Sequence, residues 1–145
     1  QLLQSISPKS RFYHLFDCVP GLSFFAKDRD GALLAANEHL VSLYGFESEE
    51  AFIGHTDFDL LPRRLAEKYR RDDLAIMDSR EPATKIGELF LNRQGIPSWF
   101  LTSKYPILSS TNEVLGIMGI IQDYHQSREK FPVDQEINTA LDHIH

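Results

Sequence analysis

Residues 99–124 are predicted to form two long strands joined by a polar turn, and no other segment limits the possible folds as much. The strands cover residues 99–108 and 114–124, and the intervening Ser-Ser-Thr-Asn is typical of a turn. Apolar side chains occupy both odd and even positions of residues 114–121, whereas a sheet with one wet face shows clean alternation. We therefore expect both faces of the sheet to be at least partly covered, one by helices and the other by an N-terminal helix, a second subunit or both.

The order of the remaining segments predicts an α+β fold. Two strands come first, at residues 22–27 and 33–36, joined by a turn in which Gly31 accepts a positive φ. Helices follow, the longest at residues 63–79, and a further strand at residues 85–91 precedes the final pair. Strands that come before and after a group of helices indicate an antiparallel sheet with the helices packed on it.

Shorter helices are predicted from their capping residues. Apolar residues at helical spacing predict an N-terminal amphipathic helix over residues 9–18. Asn37 and Ser48 each precede a short amphipathic segment, as N-cap residues do. Residues 56–60 are predicted to form a single turn before Pro62.

Composition and charge exclude several classes of protein. Hydrophobic residues make up 42% of the chain, which is enough for a packed core. The formal net charge of −6 repels phosphate groups, so this segment alone is not expected to bind nucleic acid. Cys18 is the single cysteine and cannot form an internal disulfide, which fits a reducing cytoplasm. No apolar run approaches the roughly 20 residues of a membrane span and no signal peptide is recognised, so we expect a cytoplasmic protein without membrane partners.

Several short motifs occur in the order and spacing of a known family. They are the Asp28-x-x-Gly31 turn, Asn37, Tyr44-Gly45-Phe46, Gly54-x-Thr56-Asp57, Asp73, Ser103-Lys104-Tyr105-Pro106 and the GIMGIIQD sequence of residues 116–123. Over roughly residues 19–124 the chain resembles a Per-ARNT-Sim (PAS) sensor domain. The resemblance implies a five-stranded antiparallel sheet with helices on one face. It also implies a domain that binds a small molecule or a partner and relays the result, and not an enzyme.

The chain divides into three predicted parts. Residues 1–18 carry the N-terminal helix, which is expected to cap the sheet or to dimerise, and residues 19–125 form the PAS sensor domain. Residues 126–145 are predicted to be a linker and the start of a further helix, whose apolar face has no partner, so we expect the natural protein to continue. Residues 137–145 resemble the opening helix of an AraC-type DNA-binding domain. That resemblance implies a bacterial transcription regulator that contacts DNA only through a C-terminal domain outside this chain.

The resemblance also places a candidate ligand cavity beside the segment between the second strand and the long helix. The residues predicted to line it, each of which is also a good core or capping residue, are Phe25, Asn37, Leu40, Tyr44, Phe52, Asp57, Phe58, Leu60, Trp99, Ser103 and Gly119. Lys104 is expected to extend to a surface acid and not to bind the ligand.

No cofactor or metal site is identified. No two histidines have the spacing of a helical metal pair, and Cys18 has no cysteine partner. PAS domains that bind haem through a histidine of the long helix differ from this chain, because residues 63–79 contain none. Light-sensing flavin domains need a reactive cysteine after the first helices, whereas Cys18 precedes the first strand. His55, Asp57 and Asp59 have a spacing that fits a divalent metal or acid–base chemistry, but helix capping is the favoured interpretation.

The sequence therefore predicts the sensor domain of a bacterial transcription regulator. A small molecule or partner would bind between sheet and helices, and the last strand would relay the change to a DNA-binding domain. A homodimer formed through the N-terminal helix is expected, because many regulators read paired half-sites. Two alternatives stay open: a ligand-free dimerisation or interaction module, and the sensor input of a histidine kinase or cyclic-dinucleotide enzyme.

Overall fold

The computed structural model describes residue 7, residues 10–91 and residues 96–123 of the 145-residue chain. Within these residues the strands are β1 (Leu22–Asp28), β2 (Leu33–Ala36), β3 (Ala83–Leu91), β4 (Pro97–Leu108) and β5 (Val114–Asp123). The α-helices are α1 (Glu38–Leu43), α2 (Glu49–Phe52), α3 (Asp57–Leu60) and α4 (Arg63–Ser79). The predicted N-terminal helix is a 3-10 helix, Phe12–Cys18, and is shorter than predicted. The predicted α+β fold with a five-stranded antiparallel sheet is confirmed.

The sheet has the strand order β2-β1-β5-β4-β3, and every neighbouring pair is antiparallel. The first and last strands of the chain therefore lie side by side in its centre. Gly119 of β5 is opposite Phe25 of β1 on one side and Lys104 of β4 on the other. Because side chains alternate along a strand, this register puts Phe25, Lys27 and Lys104 on the same face, which we call the inner face.

The predicted capping residues begin the helices. Asn37 Oδ1 accepts a hydrogen bond from Leu40 N at 3.2 Å, and Ser48 Oγ accepts one from Ala51 N at 3.2 Å. Helix α4 has the predicted bounds and ends at Arg80 in a left-handed conformation (φ 59°). Pro82 follows and lacks the N–H that a further helical turn would need.

The helices cover the inner face of the sheet. One buried cluster joins β1, β2, α1 and α2 and consists of Phe25, Leu33, Ala36, Leu40, Val41 and Phe52. A second cluster joins α4 to β5 and consists of Ile76, Met77 and Ile117. The side chains of these clusters are almost completely removed from water, which is the main source of stability for such a fold.

The N-terminal 3-10 helix covers part of the opposite, outer face. The Tyr13 ring stacks on Phe24 at 5.2 Å between centroids, and both are buried together with Ala26. Further along this face, Tyr105 and Met118 are opposite each other on β4 and β5 and are 49% and 37% exposed. The prediction that both faces are covered therefore holds around β1, while the β4 side of the outer face is open.

Two carboxylates attach the 3-10 helix to the helices of the inner face. Glu49 of α2 accepts a hydrogen bond from the Tyr13 hydroxyl, and its Oε1 lies 3.3 Å from His14 Nε2. Asp17 accepts hydrogen bonds from the backbone N of Glu38 at 3.1 Å and of His39 at 3.0 Å, at the start of α1. The 3-10 helix thus contacts both layers of the fold.

Several predictions fall outside the described residues. They concern the turn at residues 92–95, the strand end at Tyr124, the linker at residues 126–130 and the AraC-like helix at residues 137–145. None of the helices in the described part of the chain has the length and apolar content needed to cross a bilayer.

Candidate functional site

A cavity of about 70 Å³ lies between the inner face of the sheet and the four α-helices. Its apolar and aromatic lining comprises Phe25, Leu33, Leu40, Leu43, Tyr44, Phe52, Leu60, Phe100 and Ile121. Its polar lining comprises Lys27, Asp57, Tyr69, Glu88, Thr102 and Lys104. The cavity is small beside the roughly 300–1,000 Å³ of sites for drug-sized ligands.

The pleat of the sheet selects which strand residues reach the cavity. Phe25 and Lys27 alternate with outward residues of β1, and Phe100, Thr102 and Lys104 do the same in β4. Two strands of the sheet thus bring their lysines into the same interior space.

Two lysines and two aspartates form a buried chain of ion pairs at one end of the cavity. Lys27 Nζ lies 2.8 Å from Asp57 Oδ2 and 3.0 Å from Asp73 Oδ2. Lys104 Nζ lies 2.7 Å from the other oxygen of Asp73. The charges balance, and each buried charge has a partner, as desolvation requires.

Aromatic rings lie beside both ammonium groups. Lys27 Nζ lies 5.1 Å from the centroid of the Phe25 ring, and Lys104 Nζ lies 5.3 Å from that of Tyr69. These are cation–π distances. Burial by itself lowers the pKa of Lys27, but the carboxylates of Asp73 and Asp57 outweigh it, and the pKa lies above its usual value. Lys27 is therefore a fixed positive charge in the cavity wall.

Two phenols of the lining stay protonated. Burial, followed by the negative charge of Asp57, raises the pKa of Tyr44. Burial, followed by the charge of Glu88, raises the pKa of Tyr69. Each phenol keeps its hydrogen-bond donor at physiological pH.

The structure brings six of the predicted site residues together around the cavity. These are Phe25, Leu40, Tyr44, Phe52, Asp57 and Leu60. They come from β1 and from the segment between β2 and α4, where the sequence placed the cavity.

Three predicted residues do not line the cavity. Trp99 and Ser103 occupy the β4 positions that alternate with Phe100, Thr102 and Lys104, so they lie on the outer face. Ser103 Oγ instead accepts a hydrogen bond from Lys85 N at 2.9 Å. Phe58 lies on α3 and is 48% exposed. The structure thus places these three residues outside the cavity lining. The face that a strand residue occupies depends on the pairing register, and the exposure of Phe58 depends on how the one-turn helix is oriented.

Asn37 and Gly119 support the cavity from behind its lining. Asn37 is fully buried; its Oδ1 accepts from Phe24 N at 2.9 Å and its Nδ2 donates to Leu22 O at 2.9 Å, so it joins β1 to α1. A Cβ on Gly119 would lie 2.7 Å from the Phe25 ring. The glycine therefore makes room for that ring, which in turn lines the cavity.

The His55-x-Asp57-x-Asp59 sequence does not converge on one point. Asp57 faces Lys27, whereas Asp59 Oδ2 accepts from Thr56 N at 3.0 Å and lies 3.5 Å from His55 Nδ1. Among the described residues, no group of three His, Cys, Asp or Glu side chains is arranged to hold a metal ion.

Sequence reasoning missed the charged end of the cavity. Lys104 does reach an acid, as predicted, but that acid is the buried Asp73 and both groups lie inside the protein. The available signal was two charged residues at positions that the sequence predicts to be buried. Lys27 ends a Phe-rich strand and Asp73 lies on the inner side of the long helix, and two buried opposite charges predict each other.

The comparison with protein families gives a match over most of the chain. Residues 18–129 match the model of the family described as PAS fold. The chain therefore belongs to the PAS-fold family, as its motifs predicted. No curated protein matches the sequence.

Solved structures with the same fold include ligand-binding and signalling proteins. VqmA bound to DPO is 23% identical (TM-score 0.65), and the match covers 75% of this chain and 55% of VqmA. The VqmA–ligand–DNA complex of Vibrio cholerae is 19% identical (TM-score 0.67), with 90% and 60% covered. A sensory box sensor histidine kinase of Vibrio cholerae is 15% identical (TM-score 0.58), with 75% and 86% covered. At these identities the likeness is one of fold. A third structure, a Vibrio cholerae VqmA dimer in the absence of target DNA, has the same fold, and this chain spans only 48% to 60% of the three VqmA chains.

Proposed function

We propose that this PAS domain is the cytoplasmic sensor of a bacterial transcription regulator and binds a small molecule in the cavity between sheet and helices. One observation carries the proposal: the cavity wall combines aromatic side chains with two buried lysines, Lys27 and Lys104. A few convergent polar groups in an otherwise apolar cavity are the usual form of a small-molecule site. The proposed role is binding and relay, without catalysis.

The relay would run through β5. Ile121 of this strand lines the cavity, and Ile117 packs against α4, so a ligand that shifts the helices alters the packing of β5. The strand leads toward residues 126–145, where we propose the linker to a DNA-binding domain. A ligand that binds one arrangement of β5 better than another shifts the population toward it.

The structural neighbours support a small molecule as the signal and DNA binding as the output. VqmA is described with DPO, with target DNA and as a dimer of the LuxR type. We carry over a small-molecule input and a DNA-binding output, and we retain a C-terminal helix-turn-helix domain of the AraC type as part of the proposal. A homodimer through the N-terminal 3-10 helix fits the exposure of Phe12 (64%) and Leu15 (72%).

Two specific observations favour other functions. The small volume of the cavity favours a ligand-free interaction module with a filled core. The fold likeness to a sensor histidine kinase favours a kinase input domain, which would share the sensing step and differ only in the output.

Native mass spectrometry of the purified domain, compared with its denatured mass, tests the sensing step. A retained small molecule, or a thermal shift with DPO or another metabolite of a panel, is the expected result. Tyr69→Phe, in the cavity, should weaken that binding several-fold, because a hydroxyl hydrogen-bond partner in the cavity wall is lost. Tyr105→Phe is the matched control on the outer face and should change nothing. If no molecule is retained and no metabolite shifts the melting temperature, the ligand-free module is the better description.

A further inference from the structure

The four-residue helix α3 is attached to the sheet through Asp57. Its carboxylate lies 2.8 Å from Lys27 Nζ of β1 and forms part of the cavity lining. None of the four residues of α3 is buried, and Phe58 is 48% exposed. Leu60 is the residue of α3 that packs against the buried cluster of β1, β2, α1 and α2, so this apolar contact and the ion pair of Asp57 together hold α3 on the sheet.

The two acidic partners of Lys27 differ in how easily they can be replaced. Asp73 lies in the 17-residue helix α4, its side chain is 1% exposed, and each of its oxygens accepts from a lysine. Asp57 is the first residue of α3 and its side chain is 16% exposed. Asp57 therefore needs only a small movement of a short helix to reach water, whereas Asp73 is held by two lysines in the middle of a long helix.

The charges of the cavity determine which ligand fits. Lys27 and Lys104 are balanced by Asp57 and Asp73, and Glu88 in the wall is paired with Lys68 at 3.3 Å. An anion added to this arrangement would leave one buried negative charge in excess, which is costly. If Asp57 moves to solvent, a ligand carboxylate restores the balance at Lys27.

We propose that the cavity binds a small apolar carboxylate, whose carboxylate group replaces Asp57 at Lys27 and so releases α3 from the sheet. This inference rests on the proposed function, since it takes the cavity to be the ligand site. The aromatic lining from Phe25, Phe52 and Phe100 suits an aromatic or branched body, which the cavity of about 70 Å³ can hold only together with the space that Asp57 and α3 vacate. Helix α3 is then the first element to respond to the ligand.

Benzoate and benzamide are matched probes for the replacement of Asp57 by a ligand carboxylate, because they share a shape and differ in charge. Calorimetric titration of the wild-type domain should show binding of benzoate and much weaker binding of benzamide. Asp57→Asn removes the competing carboxylate, so benzoate should bind roughly tenfold tighter while benzamide is unchanged. Asp78→Asn, at an exposed position of α4, makes the same change in net charge and should leave both affinities as they are.

Hydrogen–deuterium exchange on the wild-type domain tests the release of α3 without any substitution. The amides of Asp59 and Leu61 donate to the carbonyls of Thr56 and Asp57 at 3.0 and 2.9 Å. Saturating benzoate should speed the exchange of these two amides severalfold, and Asp57→Asn should show fast exchange without ligand.

Three results would overturn the proposed replacement of Asp57 by a ligand carboxylate. They are no benzoate binding to any variant, equal tightening of both probes in Asp57→Asn, or slower hydrogen–deuterium exchange of the α3 amides with benzoate. The sensor function is judged separately. If the wild-type domain retains a neutral molecule in native mass spectrometry but does not bind benzoate, the sensor function stands and only the replacement of Asp57 by a ligand carboxylate is wrong.

Discussion

Lys27 and Asp73 form a buried ion pair with 3.0 Å between Nζ and Oδ2, although 46 positions separate them in the sequence. The pair joins β1, at the centre of the sheet, to the middle of α4. Lys104 shares the same carboxylate from β4. The long helix is therefore positioned over two strands by charge as well as by apolar packing, and this arrangement sets the shape of the cavity.

Removing the ammonium group should cost more stability than an average substitution. Lys27→Met leaves Asp57 and Asp73 with less compensation in a buried setting, and we expect the free energy of unfolding to fall by about 3 kcal/mol. Urea denaturation at neutral pH measures the change. Lys68→Met is the control, because its pairs with Asp72 and Glu88 involve a half-exposed lysine and should contribute less than about 1 kcal/mol. Equal losses in the two variants would contradict the importance given to burial.

Gly119 should tolerate no side chain while Phe25 is present. In Gly119→Ala the new Cβ would lie 2.7 Å from the Phe25 ring and 2.8 Å from Ser103 O, so we expect a loss of about 1–3 kcal/mol. Phe25→Leu removes the ring and should recover part of that loss, but not all, because the Ser103 carbonyl belongs to the backbone. A double-mutant cycle by urea denaturation measures the coupling. Strictly additive effects would show that the ring is not the obstacle.

Tyr13 should make the fold sensitive to alkali. Burial, with the hydrogen bond to Glu49, raises the pKa of Tyr13 to about 12. The unfolded chain loses this proton near pH 10, so the stabilising contribution is complete below about pH 10 and is lost as the pH rises toward 12. The free energy of unfolding of the wild-type domain should therefore fall more steeply between about pH 10 and 12 than that of Tyr13→Phe. Tyr44 and Tyr69 act in the same direction in both proteins, so parallel curves would rule out the assigned role of Tyr13.

Leu15 is the best single position to test the proposed dimer. It is 72% exposed on the N-terminal 3-10 helix, and exposed apolar side chains near Phe12 favour association. Leu15→Ser should weaken self-association about tenfold in analytical ultracentrifugation. Leu74→Ser, at an exposed leucine of α4 (46%), is the matched control and should leave the dimer unchanged. A monomeric wild-type domain, or equal effects of the two substitutions, would exclude an interface through the 3-10 helix.

The fold could be predicted because its signals are local. Asn37 and Ser48 cap helices by bonding to a backbone N–H three residues later, and the Asp28–Gly31 turn needs a positive φ at Gly31. The bounds of α4 follow from Pro62 and Pro82. Interactions of this kind are complete within a few residues, so the sequence displays them directly.

The site could be predicted only in part because its geometry is not local. The apolar residues Leu40, Tyr44 and Phe52 were found from their place between β2 and α4. The faces of Trp99 and Ser103 depend on the pairing of β4 with β5, where an offset of one residue exchanges the two faces. The partners of Lys27 lie 30 and 46 residues away, and no sequence spacing indicates them.

The central position of β1 and β5 has a consequence for architecture. Asp123 N donates to Gly21 O at 2.9 Å, so the polypeptide enters β1 and leaves β5 at nearly the same point. A domain with adjoining entry and exit can be inserted into a longer polypeptide as a cassette, with little disturbance of what lies on either side. A change in the packing of β1 and β5 also reaches the segments before and after the domain together. One domain of this kind can therefore drive very different outputs.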